Sequence, residues 1–275
     1  MHPYQGVTIK VPTKHGKAAA IKKGFIGLLE ANIVEVEVDT DQFGTFTGEV
    51  ERKGSPYNTA LAKLDLVKNA DYAIASEGSI GNDSQIPFMI SDIEILVFKD
   101  FKNDLIITEL HRSFEIKAGE KKFFPDEDYT KFLKLIDFPN HGVIAKGIDL
   151  TKSSPIKGIT SIEELERAMK KIFETSPTVI LESDFRAHKS PSRMENIEHV
   201  ARKLAKRIVT LCPECRTPGF GIKRYEKGVI CGECKRVNPD AIHQEILSCV
   251  KCSHESLGEI VNQVITPDKC AWCNP

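Results

Sequence analysis

The chain has 275 residues, 41% hydrophobic and 28% charged, which is enough apolar side chain to bury a substantial core and too much for intrinsic disorder. Its formal net charge of -1 excludes a globally basic protein, so a phosphate-bearing or nucleic-acid partner must be met by a local patch. No apolar run approaches the roughly 20 residues that cross a bilayer, and residues 1 to 10 lack a signal-peptide apolar stretch, so a cytoplasmic address is expected.

In chain order, residues 7 to 13 read as a strand and 18 to 30 as a helix with Ala18, Ile21, Phe25 and Leu28 on one stripe. Thr13-Lys14-His15-Gly16-Lys17 joins them, and strand, polar loop, helix is an order that offers backbone N–H groups and a cation to an anion. The Walker A spacing is absent, and a solvated loop is the competing reading. Residues 33 to 38 alternate apolar and acidic side chains as a strand with one wet face, and a long polar loop follows. Asp39, Asp41 and Glu49 in that loop are candidates for Mg²⁺, with Arg52 close behind.

Ser55-Pro56 predicts a helix start, continued by Ala60, Leu64 and Val67. Residues 72 to 76 predict a short strand that ends in a Gly-rich turn at 77 to 83, which leaves the Glu77 carboxylate where open α/β sheets place ligand sites. Residues 93 to 98 and 105 to 110 predict a hairpin, so the sheet is mixed. A helix at 126 to 138 and a strand at 142 to 148 follow. Ser161 with Glu164 predicts a capping box for a helix to about Phe173, and residues 178 to 181 a further strand. Ser192 with Glu195 predicts another capping box, opening a helix on Ile197, Val200, Leu204 and Ile208.

The segment before that helix is dense in charge. Seven Lys or Arg stand against two Glu between Arg186 and Arg207, with His188 and His199 besides. Glu182, Asp184, Arg186, His188 and Arg193 crowd a strand end, where they could hold a polyphosphate and polarise water, or form a structural ion-pair network.

All eight cysteines lie between 212 and 273 in four C-x-x-C pairs: Cys212/Cys215, Cys231/Cys234, Cys249/Cys252 and Cys270/Cys273. Each such turn supplies one edge of a thiolate tetrahedron, so four turns make two closed sites, expected to hold two structural zinc ions. Iron sites share these spacings. Pairing of first with second and third with fourth is expected, although spacing alone also permits interleaving. The predicted domains are an α/β domain at 1–205 and a double zinc-binding domain at 206–275.

The whole chain resembles an uncharacterised bacterial family, domain of unknown function 6671. The likeness rests on residues 13 to 17, Asp39-Thr-Asp-Gln-Phe-Gly-Thr-Phe-Thr-Gly-Glu49 with Arg52, Ala75-Ser-Glu-Gly-Ser79, Glu182-Ser-Asp-Phe-Arg-Ala-His188 with Arg193-Met194, and the cysteine tail. That family implies no activity. Residues 7 to 110 also resemble the purine nucleoside triphosphate pyrophosphatases in the order strand, Thr/Lys loop, helix, strand, Gly/Thr/Glu loop, helix with Ala62-Lys63, strand and acidic Gly-rich turn. This second resemblance implies Thr13, His15, Lys17 and Lys63 on phosphate, with Glu49 and Glu77 on Mg²⁺. His15 stands where that family has Asn, and its Ser-His-Arg motif is missing, with Arg186-Ala-His188 in a comparable place.

Together these readings predict an α/β protein with a mixed sheet, helices in βαβ units and a double zinc-ribbon-like tail. The expected function is Mg²⁺-dependent hydrolysis of a nucleotide or other phosphoanhydride. Glu49, Glu77, Asp184 and His188 would be catalytic, and Thr13, His15, Lys17, Lys63, Arg52, Arg186 and Arg193 would bind the phosphate-bearing small molecule. The competing expectation is a non-enzymatic module that binds nucleic acid or protein through the zinc tail and the basic helix.

Overall fold

A computed structural model describes residues 2–45, 50–149 and 154–275. The chain divides into two compact units, one of residues 3–104 and 108–204 and one of residues 105–107 and 205–275 with His2. Among the described residues no helix is long and apolar enough to cross a membrane.

The first unit is built on two sheets. Strands β1 (Thr8–Thr13), β2 (Asn32–Glu37), β3 (Tyr72–Asn82), β4 (Ile90–Asp100) and β5 (Leu105–Ser113) form one in the order β2-β1-β3-β4-β5. Strand β1 runs parallel to β2 and β3, and β3 antiparallel to β4, so the sheet is mixed. Helix α1 (Ala18–Phe25) links β1 to β2, and α2 (Pro56–Leu64) precedes β3, which makes the parallel half from strand-helix-strand units. Ile9, Val11, Ile74, Leu96 and Phe98 are fully enclosed in its core.

The second sheet is antiparallel, ordered β6 (Glu120–Phe123), β9 (Val179–Ser183), β7 (Val143–Gly147), β8 (Ile156–Ile159). Helices α3 (Thr130–Leu135) and α4 (Ile162–Phe173) share its core with Phe123, Val143, Val179 and Leu181. Helix α5 (Pro191–Val209) follows β9, and Gly24 of α1 is a contact point for it. A Cβ at Gly24 would lie 2.6 Å from the Ala201 Cβ and 2.8 Å from backbone atoms of α5, so only glycine permits the approach.

Several elements differ from the sequence expectation. Helix α1 stops at Phe25, because Ile26 turns extended and Gly27 takes φ +76, so Leu28 lies beyond the helix. Helix α3 covers only the centre of the predicted 126 to 138. The predicted Gly-rich turn at 77 to 83 is not a turn: Glu77 through Asn82 continue β3 and pair with Ile90 through Ile95. Ser55 caps α2 and Ser161 caps α4, each accepting from the N–H three residues on. Ser192 forms no capping box, because its N–H and Oγ are taken by His141 and its Oγ also accepts from the Lys117 N–H.

The second unit carries a three-stranded antiparallel sheet, β10 (Gly221–Ile230), β11 (Val237–Ser248) and β12 (Glu255–Ile260). One C-x-x-C turn stands at each end of β10 and of β11, with the fourth after β12.

Candidate active site and metal centres

The loop after β1 is shaped by its own side chains. The Thr13 hydroxyl accepts from the His15 N–H at 3.2 Å, and Gly16 takes φ +71, which turns the chain into α1 with Lys17 at its cap. Thr13 therefore braces the turn and does not line the cavity it adjoins. That cavity, about 70 Å³ in volume and partly open to solvent, is walled by His15, Lys17, Thr40, Asp41, Gly44, Thr45, Lys63, Glu77, Ile144, Lys157, Asp184, Arg186 and Arg193. Segments of both sheets of the first unit, the loop after β2 and helices α1, α2 and α5 thus supply one concave site.

Three ion-paired groups organise it. Lys63 contacts Glu77 and donates to the Ser76 carbonyl at 3.3 Å, and Lys17 donates to the Ser76 hydroxyl at 3.1 Å. Arg52 reaches the same Glu77 at 3.3 Å, with the Gly78 carbonyl at 3.0 Å and the Ser79 hydroxyl at 2.7 Å, and lines an adjoining groove that shares Gly44, Thr45 and Glu77 with the main cavity. Across the cavity Arg186 forks onto Asp184, with Nη2 at 2.6 Å. Arg193, also on the wall, is 1% exposed and donates to Glu94 at 2.6 Å and to the Phe185 carbonyl at 2.5 Å.

Burial, with Arg193 and Lys63 adding repulsion, pulls the Lys17 ammonium down to about 7. Burial would raise Glu77, but Lys63, Lys17 and Arg52 outweigh it and hold the carboxyl below its usual value. Burial brings His15 down to about 4 against the opposing pull of Asp41, and lowers His188, whose neighbour Arg186 adds to the effect. The two imidazoles lie 5.3 Å apart.

Lysines and arginines rather than metal-binding acids dominate. Asp39 and Asp41 do not assemble as the expected Mg²⁺ group, because the Lys14 ammonium sits on both, at 3.3 and 2.7 Å, and His15 takes the second Asp41 oxygen. Glu49 lies outside the described residues. His188 does not line the cavity, and its ring lies 5.3 Å from that of His15 and beside Arg186. Sequence reasoning missed Lys157 on the wall and the buried set beneath it: Asp92 and Glu94 are both fully enclosed, Asn196 donates to Asp92 at 2.9 Å, and burial beside Glu94 pushes Asp92 up to about 7. The one available signal was the alternation of Asp92 and Glu94 with apolar residues, which reads as a wet strand face.

The cysteines form two sets, Cys212/Cys215/Cys249/Cys252 and Cys231/Cys234/Cys270/Cys273, each with sulfurs within 4.8 Å of one another. The expected pairing of consecutive turns is thereby corrected to an interleaved one. The reason is reach: the ten residues of β10 span about 33 Å at ~3.3 Å each. The turns at its two ends cannot share an ion, whereas β11 brings the third turn back beside the first. Sulfur separations of 3.6 and 3.7 Å in one set and 3.7 and 3.9 Å in the other match the edge of about 3.8 Å for a tetrahedron with metal–sulfur bonds near 2.3 Å. They are far from the disulfide length of about 2.05 Å. Arg216 and Lys235 take positive φ just after the first two turns, and N–H groups of Lys251, Cys252 and Trp272 point at Cys249 or Cys270 sulfur from 3.3 to 3.4 Å. The donor set fits zinc. Among the described residues no other group of three or more Cys, His or acidic side chains is positioned to hold an ion.

On the basic face of the tail, Lys223 and Arg224 both reach Glu255 at 2.9 Å, and Arg236 stacks over Trp272. Residues 60–275 match the family described as Domain of unknown function (DUF6671). No curated protein and no solved structure matches the chain.

Proposed function

We propose, for a chain that belongs to this family of unknown function, that the cavity of the first unit binds a phosphate-bearing small molecule and hydrolyses its phosphoanhydride, with a nucleotide as the leading substrate class. The carrying observation is the convergence of Lys17, Lys63, Arg186 and Arg193 on one cavity. Oriented cations in a partly dry site stabilise the charge of a transferring phosphoryl group without reorganising at the moment of reaction. Lys17 and Arg186 meet the phosphate oxygens. Asp184 holds Arg186 in its forked pose, and Glu77 fixes Lys63 and Arg52. The resemblance of residues 7 to 110 to purine nucleoside triphosphate pyrophosphatases supports the same substrate class.

The described acids make no preformed cage for Mg²⁺, and a divalent ion carried by the phosphate oxygens would withdraw charge from the phosphoryl group. The tail holds two zinc ions in closed tetrahedra that leave no position for substrate, and its part is structural. A nucleic-acid-binding role for the tail has less support, because Lys223 and Arg224 already face Glu255.

The test is turnover of a panel of nucleoside triphosphates, nucleoside diphosphates and pyrophosphate with Mg²⁺, comparing wild type with Lys17→Ala and Glu77→Ala. Wild-type release of phosphate or pyrophosphate that falls about 10²-fold or more in Lys17→Ala is expected. No turnover of any of these would sink the hydrolase.

A further inference from the structure

His15 is held as a base would be. Its ring lines the cavity and its Nε2 lies 3.1 Å from Asp41 Oδ1. A carboxylate only accepts, so the ring proton belongs on Nε2 and the lone pair on Nδ1. Asp41 is kept ionised: burial would raise it, but Lys14 at 2.7 Å and His15 hold it below its usual value. The His15 backbone is fixed by the Thr13 hydroxyl, which accepts from the His15 amide N–H, and the ring lies 5.3 Å from the His188 imidazole. Among the described residues Nδ1 makes no hydrogen bond of its own. Lys17 and Arg186 share the cavity wall with it, so a phosphoryl group held by those cations lies within the space the ring faces.

We infer that His15, oriented by Asp41, is the general base of the hydrolysis, a catalytic role resting on the reading of the cavity as a phosphoanhydride site. Nδ1 takes one proton from a water molecule while the water oxygen bonds to phosphorus. The bond from phosphorus to the bridging oxygen breaks, and its electron pair leaves with the departing phosphate. The proton rests on the imidazolium beside Asp41 and passes to solvent, so one anhydride and one water give two phosphates and one proton. The ring starts neutral, and the ionised Asp41 on Nε2 opposes burial by stabilising the imidazolium that forms.

The experiment has two readouts on the zinc-loaded full chain. The first is ¹⁵N chemical shifts of the histidine rings at neutral pH, assigned by comparison with His15→Gln. A His15 ring protonated on Nε2 and bare on Nδ1 is expected, and a ring protonated on Nδ1 or doubly protonated overturns the inference. The second is turnover by His15→Ala, His15→Gln and Asp41→Asn with the best substrate of the panel. His15→Ala should lose about 10²- to 10⁴-fold in kcat with KM little changed, and added imidazole should restore part of it. Asp41→Asn should lower kcat less and disturb the tautomer. If wild type turns over substrate and His15→Ala stays within a few-fold of it, the base assignment fails while the hydrolase stands. If wild type turns over nothing, the hydrolase fails and takes the assignment with it.

Discussion

The two units are held together by different means. Around the second sheet of the first unit, Phe123, Phe132, Leu133, Ile136, Val179 and Leu181 make a continuous apolar core that needs no ion. In the tail, the clusters consist of Val229 and Ile265 with Cys231 and Cys270, and of Phe220 with Cys212 and Cys249. Burying a large apolar side chain contributes about 1.5–3 kcal/mol, and ordering each residue costs about 1–2 kcal/mol of chain entropy, so side chains as few as these and the buried Ile246 cannot offset the ordering of 70-odd residues. Cysteines that are core members in the tail are therefore its main source of stability once they bind metal. The first unit, with its larger apolar core, carries buried charge at its cavity.

The largest effect should come from stripping the metal. A chelator strong enough to remove both ions forfeits about 10–16 kcal/mol per site. Amide protection along β10 and β11 should then vanish while β7 and β9 stay protected. Protection of β10 surviving in metal-free protein would break the comparison. Next in size, the double variant Cys215→Ser/Cys249→Ser removes ligands from one interleaved set alone, so elemental analysis should fall from two zinc per chain to one. Cys215→Ser/Cys234→Ser touches both sets and should lose both ions. The opposite pattern would restore consecutive pairing.

Within the first unit, Glu94→Gln removes the carboxylate that the buried Arg193 Nε meets at 2.6 Å and should cost about 3–5 kcal/mol, read from the urea midpoint. A shift under about 1 kcal/mol would mean that Arg193 is satisfied by other means. A smaller effect concerns pH. Lys17 faces Arg193, Lys63, Glu94 and Glu77, and its value near 7 lies below that of an unfolded lysine. Between about 7 and its ordinary value the unfolded chain holds a proton that the folded chain lacks, so this group's contribution to stability rises with pH over that window and is most unfavourable below it. Anion binding has the opposite trend, because it needs the charged amine: affinity for pyrophosphate should fall above pH 7, approaching tenfold per unit. The smallest effect is on the wet surface of the tail, where Lys223→Ala should leave the melting temperature unchanged, as Lys223 and Glu255 are solvent-screened partners.

Much of the framework was legible in local patterns. The apolar stripe of α1, the acid alternation of β2, and the Ser55 and Ser161 caps each announced an element, because the physics involved spans only three or four residues. His15 and Lys17 of the loop after β1, the acids Glu77 and Asp184 and the cation Arg186 were readable as polar groups near predicted strand ends, and they do wall one cavity. What stayed hidden depended on distant partners. Gly78 suggested a turn, yet it sits mid-strand, and it is glycine because a Cβ there would overlap the Glu94 carboxylate and the Arg193 guanidinium. Asp92 and Glu94 suggested a wet face, yet Arg193 and Asn196 arrive from a helix about a hundred residues later to cover them. Asp41 suggested a metal ligand, and its use by Lys14 and His15 is a matter of loop closure that spacing does not encode. The interleaving of the cysteines was within reach, since a strand of ten residues is too long to let its two flanking turns meet.

The most direct test of the cavity as a phosphate site is isothermal titration of pyrophosphate, at pH 6.5, into the zinc-loaded protein and its Lys17→Met variant. Saturable binding of one pyrophosphate per chain, weakened at least about tenfold in the variant, is the predicted result. No binding by the wild type, or equal binding by both proteins, would contradict the account.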